Sequence, residues 1–213
     1  MIRPPVTAIF GGSFDPPHYG HLAIVSYLFA NHLDRTHDRV FVMPCRGHAF
    51  GKKLASFEHR IRMCEMMFRS CFDRTMVSIV NREALDPPDG ADYTIDDIHG
   101  LKKMCPEDDL RLVVGSDVWG EFDKWKDAEE IRSLVPIIIV PRGPISPIPE
   151  ICSLEIRKWL SNGIRMYDTV SNWIPKSIQD YIEKNNLYLP LKSTKQIPNL
   201  VSDLPFEVKP VWR

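Results

Sequence analysis

Short runs rich in β-branched residues alternate along this chain with stretches whose apolar positions recur every three or four residues. The runs cover residues 7–10, 39–43, 76–80, 110–114 and 137–140, and helical patterns cover 22–32, 57–68 and 93–103. Two parallel strands can be joined only by a crossover, and a helix is the usual crossover. The alternation therefore predicts βαβ units, in which a parallel sheet carries helices on both faces. The expected fold class is α/β, a doubly wound parallel sheet flanked by helices in a single domain. The second helical pattern supports this, since Ile61, Cys64, Met67 and Phe68 recur at helical spacing beside Arg60, Arg62 and Glu65. Two further helices are expected over 153–160 and 175–185, the second with Pro175 in its first turn. Beyond Tyr188 the periodicity ends. Residues 1–188 are expected to form the domain, and 189–213, with four prolines, an arm that packs irregularly or stays mobile.

At 213 residues the chain can bury a sizeable core, and one domain is the default. Its 27 Lys and Arg balance 28 Asp and Glu, so no whole-chain field draws it to nucleic acid or to an anionic membrane. An anion must be held by a local site. No basic stripe with interleaved aromatics is present, which argues against a nucleic-acid partner. The longest apolar run, residues 135–140, is too short to span a bilayer. The N-terminus lacks the apolar stretch of a secretory signal, so a soluble, cytoplasmic protein without a membrane partner is expected. A homo-oligomer is compatible with this composition. Five cysteines at irregular spacings (Cys45, Cys64, Cys71, Cys105 and Cys152) fit neither a disulfide framework nor a paired metal site. They read as free thiols, mostly buried.

The segment richest in chemistry is Gly11-Gly-Ser-Phe-Asp-Pro-Pro-His-Tyr-Gly-His21, between the first strand and the first helix. Gly11 and Gly12 let the backbone approach an anion, and Ser13 adds a hydroxyl donor. Backbone N–H groups through Phe14 and the dipole of the following helix favour negative charge. His18 and His21 are three apart at the helix start, so both rings can project from one side toward one ligand. There they can donate hydrogen bonds to phosphate oxygens as charge develops. Taken singly, a Gly-Gly pair is usually a turn and two histidines at this spacing are usually surface residues. Their union in eleven residues directly after a strand favours a phosphate site. Zinc is disfavoured, because no third ligand sits at the required spacing, and no protein metal site is expected.

Gly12-Ser-Phe-Asp-Pro-Pro-His18-Tyr-Gly-His21 is similar to the GxFDPxHxGH signature of nucleotidyltransferases. Among these the chain resembles the bacterial-type nicotinate-nucleotide adenylyltransferases, over roughly residues 6–188. Phe57-Glu-His-Arg60-Ile-Arg-Met63, Asp92-Tyr-Thr94-Ile-Asp96, Gly115-Ser-Asp117 with Phe122 and Trp125, and Ile174 to Ile182 with Leu187-Tyr188 resemble later family segments in the family's order. The resemblance implies a Rossmann-like fold and transfer of the adenylyl group of ATP to nicotinate mononucleotide, with nicotinamide mononucleotide as a related acceptor. It implies Mg²⁺ bound through the ATP phosphates. Another phosphorylated acceptor and a non-catalytic nucleotide sensor are the competing readings.

Ile151-Cys-Ser-Leu-Glu-Ile-Arg157 resembles the family's ISSTxIR motif. Ser153 is a candidate N-cap, and Arg157 one turn in adds a forked cation, although an ordinary capped helix with an exposed arginine has the same pattern. By resemblance Arg157 holds the β- and γ-phosphates, completing with His18 and His21 the catalytic set. Cys152 and Leu154 depart from the motif and remove two hydroxyls. By resemblance, Asp117 contacts the adenosine, Trp125 stacks on the pyridine ring, and Tyr93 and Thr94 meet the ring substituent. Lys52, in the loop after the second strand, is a candidate for the acceptor phosphate. As sequence patterns alone, Trp125 also reads as a core aromatic and Lys52-Lys53 as a solvated pair.

Overall fold

The structure, a computed structural model, describes residues 3–47, 54–85, 93–163 and 172–189. Among these residues, five strands and seven α-helices follow one another as β1 (Val6–Gly12), α1 (Tyr19–Asn31), β2 (Arg39–Pro44), α2 (Phe57–Arg69), β3 (Val77–Ile79), α3 (Thr94–Met104), β4 (Asp109–Gly115), α4 (Ser116–Trp119), α5 (Ala128–Leu134), β5 (Ile137–Val140), α6 (Ser153–Ser161) and α7 (Lys176–Lys184). The strands form one parallel sheet in the order β3-β2-β1-β4-β5. Ile9 stands beside Phe41 on one side and Leu112 on the other, and Leu112 beside Ile137. This is the doubly wound parallel sheet predicted by the alternation and the Rossmann-like fold implied by the resemblance.

Each central strand is apolar on both faces because helices cover both. Ala8, Phe10, Val40, Val42 and Val113 face one core, completed by Ile24, Val25 and Leu28 of α1, Met63 and Met67 of α2, Ile156 of α6 and Ile178 and Ile182 of α7. Ile9, Phe41, Met43, Leu112 and Val114 face the other, with Ile95, Ile98 and Leu101 of α3 and Ile131 of α5. Successive strand residues thus enter opposite cores, the period-two signature of a sheet buried on both sides.

Several local expectations are refined. α1 begins at Tyr19, three residues before its apolar pattern starts at Leu22, so His21 lies inside its first turn. The short helices α4 and α5 escape the pattern because each is under two turns; α5 buries only Ala128 and Ile131. Ser153 is the first residue of α6, not its N-cap: Cys152 occupies the cap without a side-chain cap bond. Pro175 likewise caps α7 from outside the first turn. The cysteines are free, but only Cys64 is buried. Cys45 and Cys105 are half-buried, and Cys71 and Cys152 are exposed because they lie beyond helix ends. No helix among the described residues is long and apolar enough to cross a membrane. Lys52 and the arm from residue 190 onward lie outside the described residues.

Candidate active site

The crossovers after β1 and β4 leave the sheet in opposite directions, α1 to one face and α5 to the other. The resulting crevice at the strand carboxyl ends is where open α/β sheets take ligands. The loop between β1 and α1 lies there. Phe14 has φ 47°, and its ring turns into the core at 1% exposure, edge-on to Phe10 at 5.3 Å and to Phe68 at 6.4 Å. A Cβ on Gly12 would lie 3.1 Å from that ring, so Gly12 makes room for the anchor. Phe14, expected at the phosphates, therefore contributes an anchor to the core, and only its backbone lies on the loop. The loop carbonyls are held by the protein: Gly12 O accepts from Cys45 N–H at 2.9 Å, and Ser13 O from Arg60 Nη1 at 2.8 Å. Gly11 is exposed and Ser13 half-buried.

His18 caps α1 and His21 is its third residue. Their rings stack with centroids 3.8 Å apart at 27°. The His18 backbone N–H donates to His21 Nδ1 at 3.1 Å, so a neutral His21 carries its hydrogen on Nε2. A Cβ on Gly20 would lie 2.9 Å from His18 Nδ1 and 3.3 Å from Pro149 O; glycine is what lets the ring sit there. Burial, helped by the charge of Arg142, pushes His18 down to about 3. Burial, then His18 and Arg142, holds His21 well below its ordinary value. Both imidazoles are neutral at neutral pH.

The start of α6 touches this loop directly. Ser153 Oγ donates to Pro16 O at 2.9 Å and Arg157 Nη1 to Asp15 O at 2.5 Å. The two segments are thus in direct contact. Leu154 is 61% exposed and Cys152 is exposed, so the two motif departures face outward. Asp117 in α4 is more than half exposed, with Oδ2 3.9 Å from Arg142 Nε.

Across the crevice, Tyr93 caps α3 and is 41% exposed, and Thr94 opens the helix. Trp125 is half-buried against Phe122, ring centroids 5.1 Å apart. Lys126 Nζ lies 4.4 Å over the Tyr93 ring and joins the two segments. The histidine loop and this aromatic group therefore sit at one sheet edge, on either side of it. Among the described residues no three His, Cys, Asp or Glu are grouped to hold a metal.

The cytidylyltransferase-like family model matches residues 9–197. The chain is 30% identical over 197 residues to a Myxococcus xanthus protein named probable nicotinate-nucleotide adenylyltransferase, covering 88% of this chain and 97% of that one. It is 34% identical over 197 residues to the like-named protein of Leptospira interrogans, covering 86% and 96%. The chain belongs to the nicotinate-nucleotide adenylyltransferase family. Among solved structures, Plasmodium falciparum nicotinic acid mononucleotide adenylyltransferase complexed with NaAD superposes with TM-score 0.68 at 23% identity, covering 86% of this chain and 97% of that one. A putative nicotinate-nucleotide adenylyltransferase from Vibrio parahaemolyticus superposes at 0.65 with 22% identity, covering 86% and 95%. At these identities the likeness establishes the fold.

For a nicotinate-nucleotide adenylyltransferase, this structure adds residues that sequence reading did not place in the site. Arg60 is fully buried and donates to the carbonyls of Ala55, Ser13 and Arg46 at 3.0, 2.8 and 3.0 Å. Its helical register was visible, but one arginine beside an apolar stripe reads as solvated. Arg142 follows β5 at the carboxyl edge, with its N–H on Ser116 Oγ at 2.8 Å and Nη1 on Pro149 O at 3.3 Å. Its position just past a core strand was the available signal.

Proposed function

We infer that this chain transfers the adenylyl group of ATP to nicotinate mononucleotide, giving the dinucleotide and pyrophosphate, as the names of its relatives indicate. The observation that carries this reading is the union of the histidine loop with the start of α6 at the crevice between β1 and β4. The acceptor's phosphate oxygen attacks the α-phosphorus in line, the bond to the bridging oxygen breaks, and pyrophosphate leaves. No protein nucleophile is needed, so the chain acts by position and by donors for developing charge. Gly11, Gly12 and Ser13 cradle the phosphates. Neutral His18 and His21 donate to them, and the incoming negative charge offsets the burial that disfavours their protonation. Arg157 and Ser153 hold the β- and γ-phosphates, and Asp117 meets the adenosine. Trp125 stacks on the pyridine ring, while Tyr93 and Thr94 meet its carboxylate. ATP would enter as its magnesium complex, which Gly11, Gly12, Ser13, Ser153 and Arg157 would hold through the phosphates, the ion supplying neutralisation of their charge.

Initial rates of pyrophosphate release with MgATP and each of the two pyridine mononucleotides test the assignment. Release with nicotinate mononucleotide is expected, with nicotinamide mononucleotide the poorer acceptor. Failure of both, with MgATP still bound, would instead support another acceptor or a nucleotide sensor.

A further inference from the structure

We propose that Asp15 and Tyr188 are positioning residues that aim the Arg157 guanidinium at the triphosphate, tying nucleotide binding to the closing segment of the fold. The Asp15 side chain is fully buried. Its Oδ1 accepts from the Tyr188 hydroxyl at 2.5 Å and from the Ala55 N–H at 3.2 Å. Its Oδ2 is buried, makes no hydrogen bond among the described residues, and lies 3.5 Å from Arg157 Nη1. A carboxylate taken out of water persists only where donors or cations meet it. With Oδ1 clasped by two donors, Oδ2 is turned to Arg157.

Arg157 is fixed at one end only. Nη1 donates to the Asp15 carbonyl at 2.5 Å, and its other nitrogens make no hydrogen bond to described residues. Those donors remain for phosphate oxygens, on a guanidinium whose direction Asp15 sets from both its backbone and its carboxylate. Tyr188 is 173 residues away along the chain and holds φ 60°. A tyrosine adopts that left-handed conformation only where its surroundings hold it. Burial, with the Asp15 carboxylate beside it, pushes its phenol well above the ordinary value, so it stays a donor throughout the working pH range.

The proposal rests on the reading of Arg157 as a triphosphate ligand. Tyr188→Phe removes one hydroxyl and keeps the ring. The variant is expected to raise the Kd for MgATP, by calorimetry, and the KM for MgATP about tenfold, the scale of a hydrogen bond to a charged group. The KM for nicotinate mononucleotide is expected to stay unchanged. In an Arg157→Ala background the same substitution should have no further effect on the Kd, because it acts through that guanidinium. Asp15→Asn, which keeps the shape and removes the charge, should give the same pattern. An unchanged MgATP Kd, an equal loss for both substrates, or an effect that persists without Arg157 would overturn the proposal. So would failure of both variants to fold, which would show a purely structural role. Wild-type protein that binds MgATP without turnover would sink the transfer reading and leave this binding cycle readable.

Discussion

His18 and His21 combine two conditions that rarely coexist at a surface: they are stacked at 3.8 Å, and burial keeps both neutral. A neutral pair suits a site awaiting a polyanion, because stacked imidazolium rings would repel each other. His18→Ala and His21→Ala are each expected to lower kcat by about a hundredfold or more, the scale of a lost transition-state donor. Pyrophosphate-release assays on variants with wild-type unfolding curves check this. Stability should also follow pH. Both folded pKa values lie below the 6.5 of a free histidine, so the unfolded chain binds more protons once pH falls below that value. For His18 the contribution is complete above 6.5 and is lost as pH falls toward about 3, at up to about 1.4 kcal/mol per pH unit, and His21 adds a loss of the same sign. Urea unfolding of wild type and His18→Gln between pH about 6.5 and 5, above most carboxylate titration, should show a shallower slope in the variant. Identical slopes would contradict the assigned burial. MgATP binding near pH 6 should take up protons, seen as a dependence of calorimetric heat on buffer ionisation.

At the scale of the element, the loop between β1 and α1 is shaped by its neighbours more than by its own sequence. Gly20→Ala would put a methyl 2.9 Å from His18 Nδ1, with Pro149 O behind it. A large loss of kcat with a small change in Tm is expected, and wild-type kcat would show that the ring is free to yield. Arg60→Ala removes three buried donors, those to the carbonyls of Ala55, Ser13 and Arg46, and should cost about 3 kcal/mol or more, read from denaturant unfolding. These two residues mark the limit of sequence reading. The Gly-Gly loop and both histidines were legible because their spacing is local. Arg60 was not, because its partners come from three separate segments. The inward turn of the Phe14 ring was not legible for a related reason: its positive φ sets the direction of the ring, and spacing does not report that. Helices α4 and α5 were missed because their apolar positions are too few to make a period.

Over the whole molecule, the alternation of strand and helix sufficed for the parallel sheet: two-sided burial writes the near-continuous apolar run at 39–43, and the edge strand at 137–140 is equally apolar although Ile139 is exposed. Strand order was not written there; it emerges from which helix covers which face. That order places the β1 loop, the start of α6, and the Tyr93 and Trp125 group around one crevice. Transfer between two bound phosphates requires such a convergence. The most direct test follows ATP labelled at the α-phosphate through a reaction with nicotinate mononucleotide. The label is expected in the dinucleotide, with unlabelled pyrophosphate released in equal amount. Label remaining in ATP, or appearing only in free AMP, would contradict adenylyl transfer.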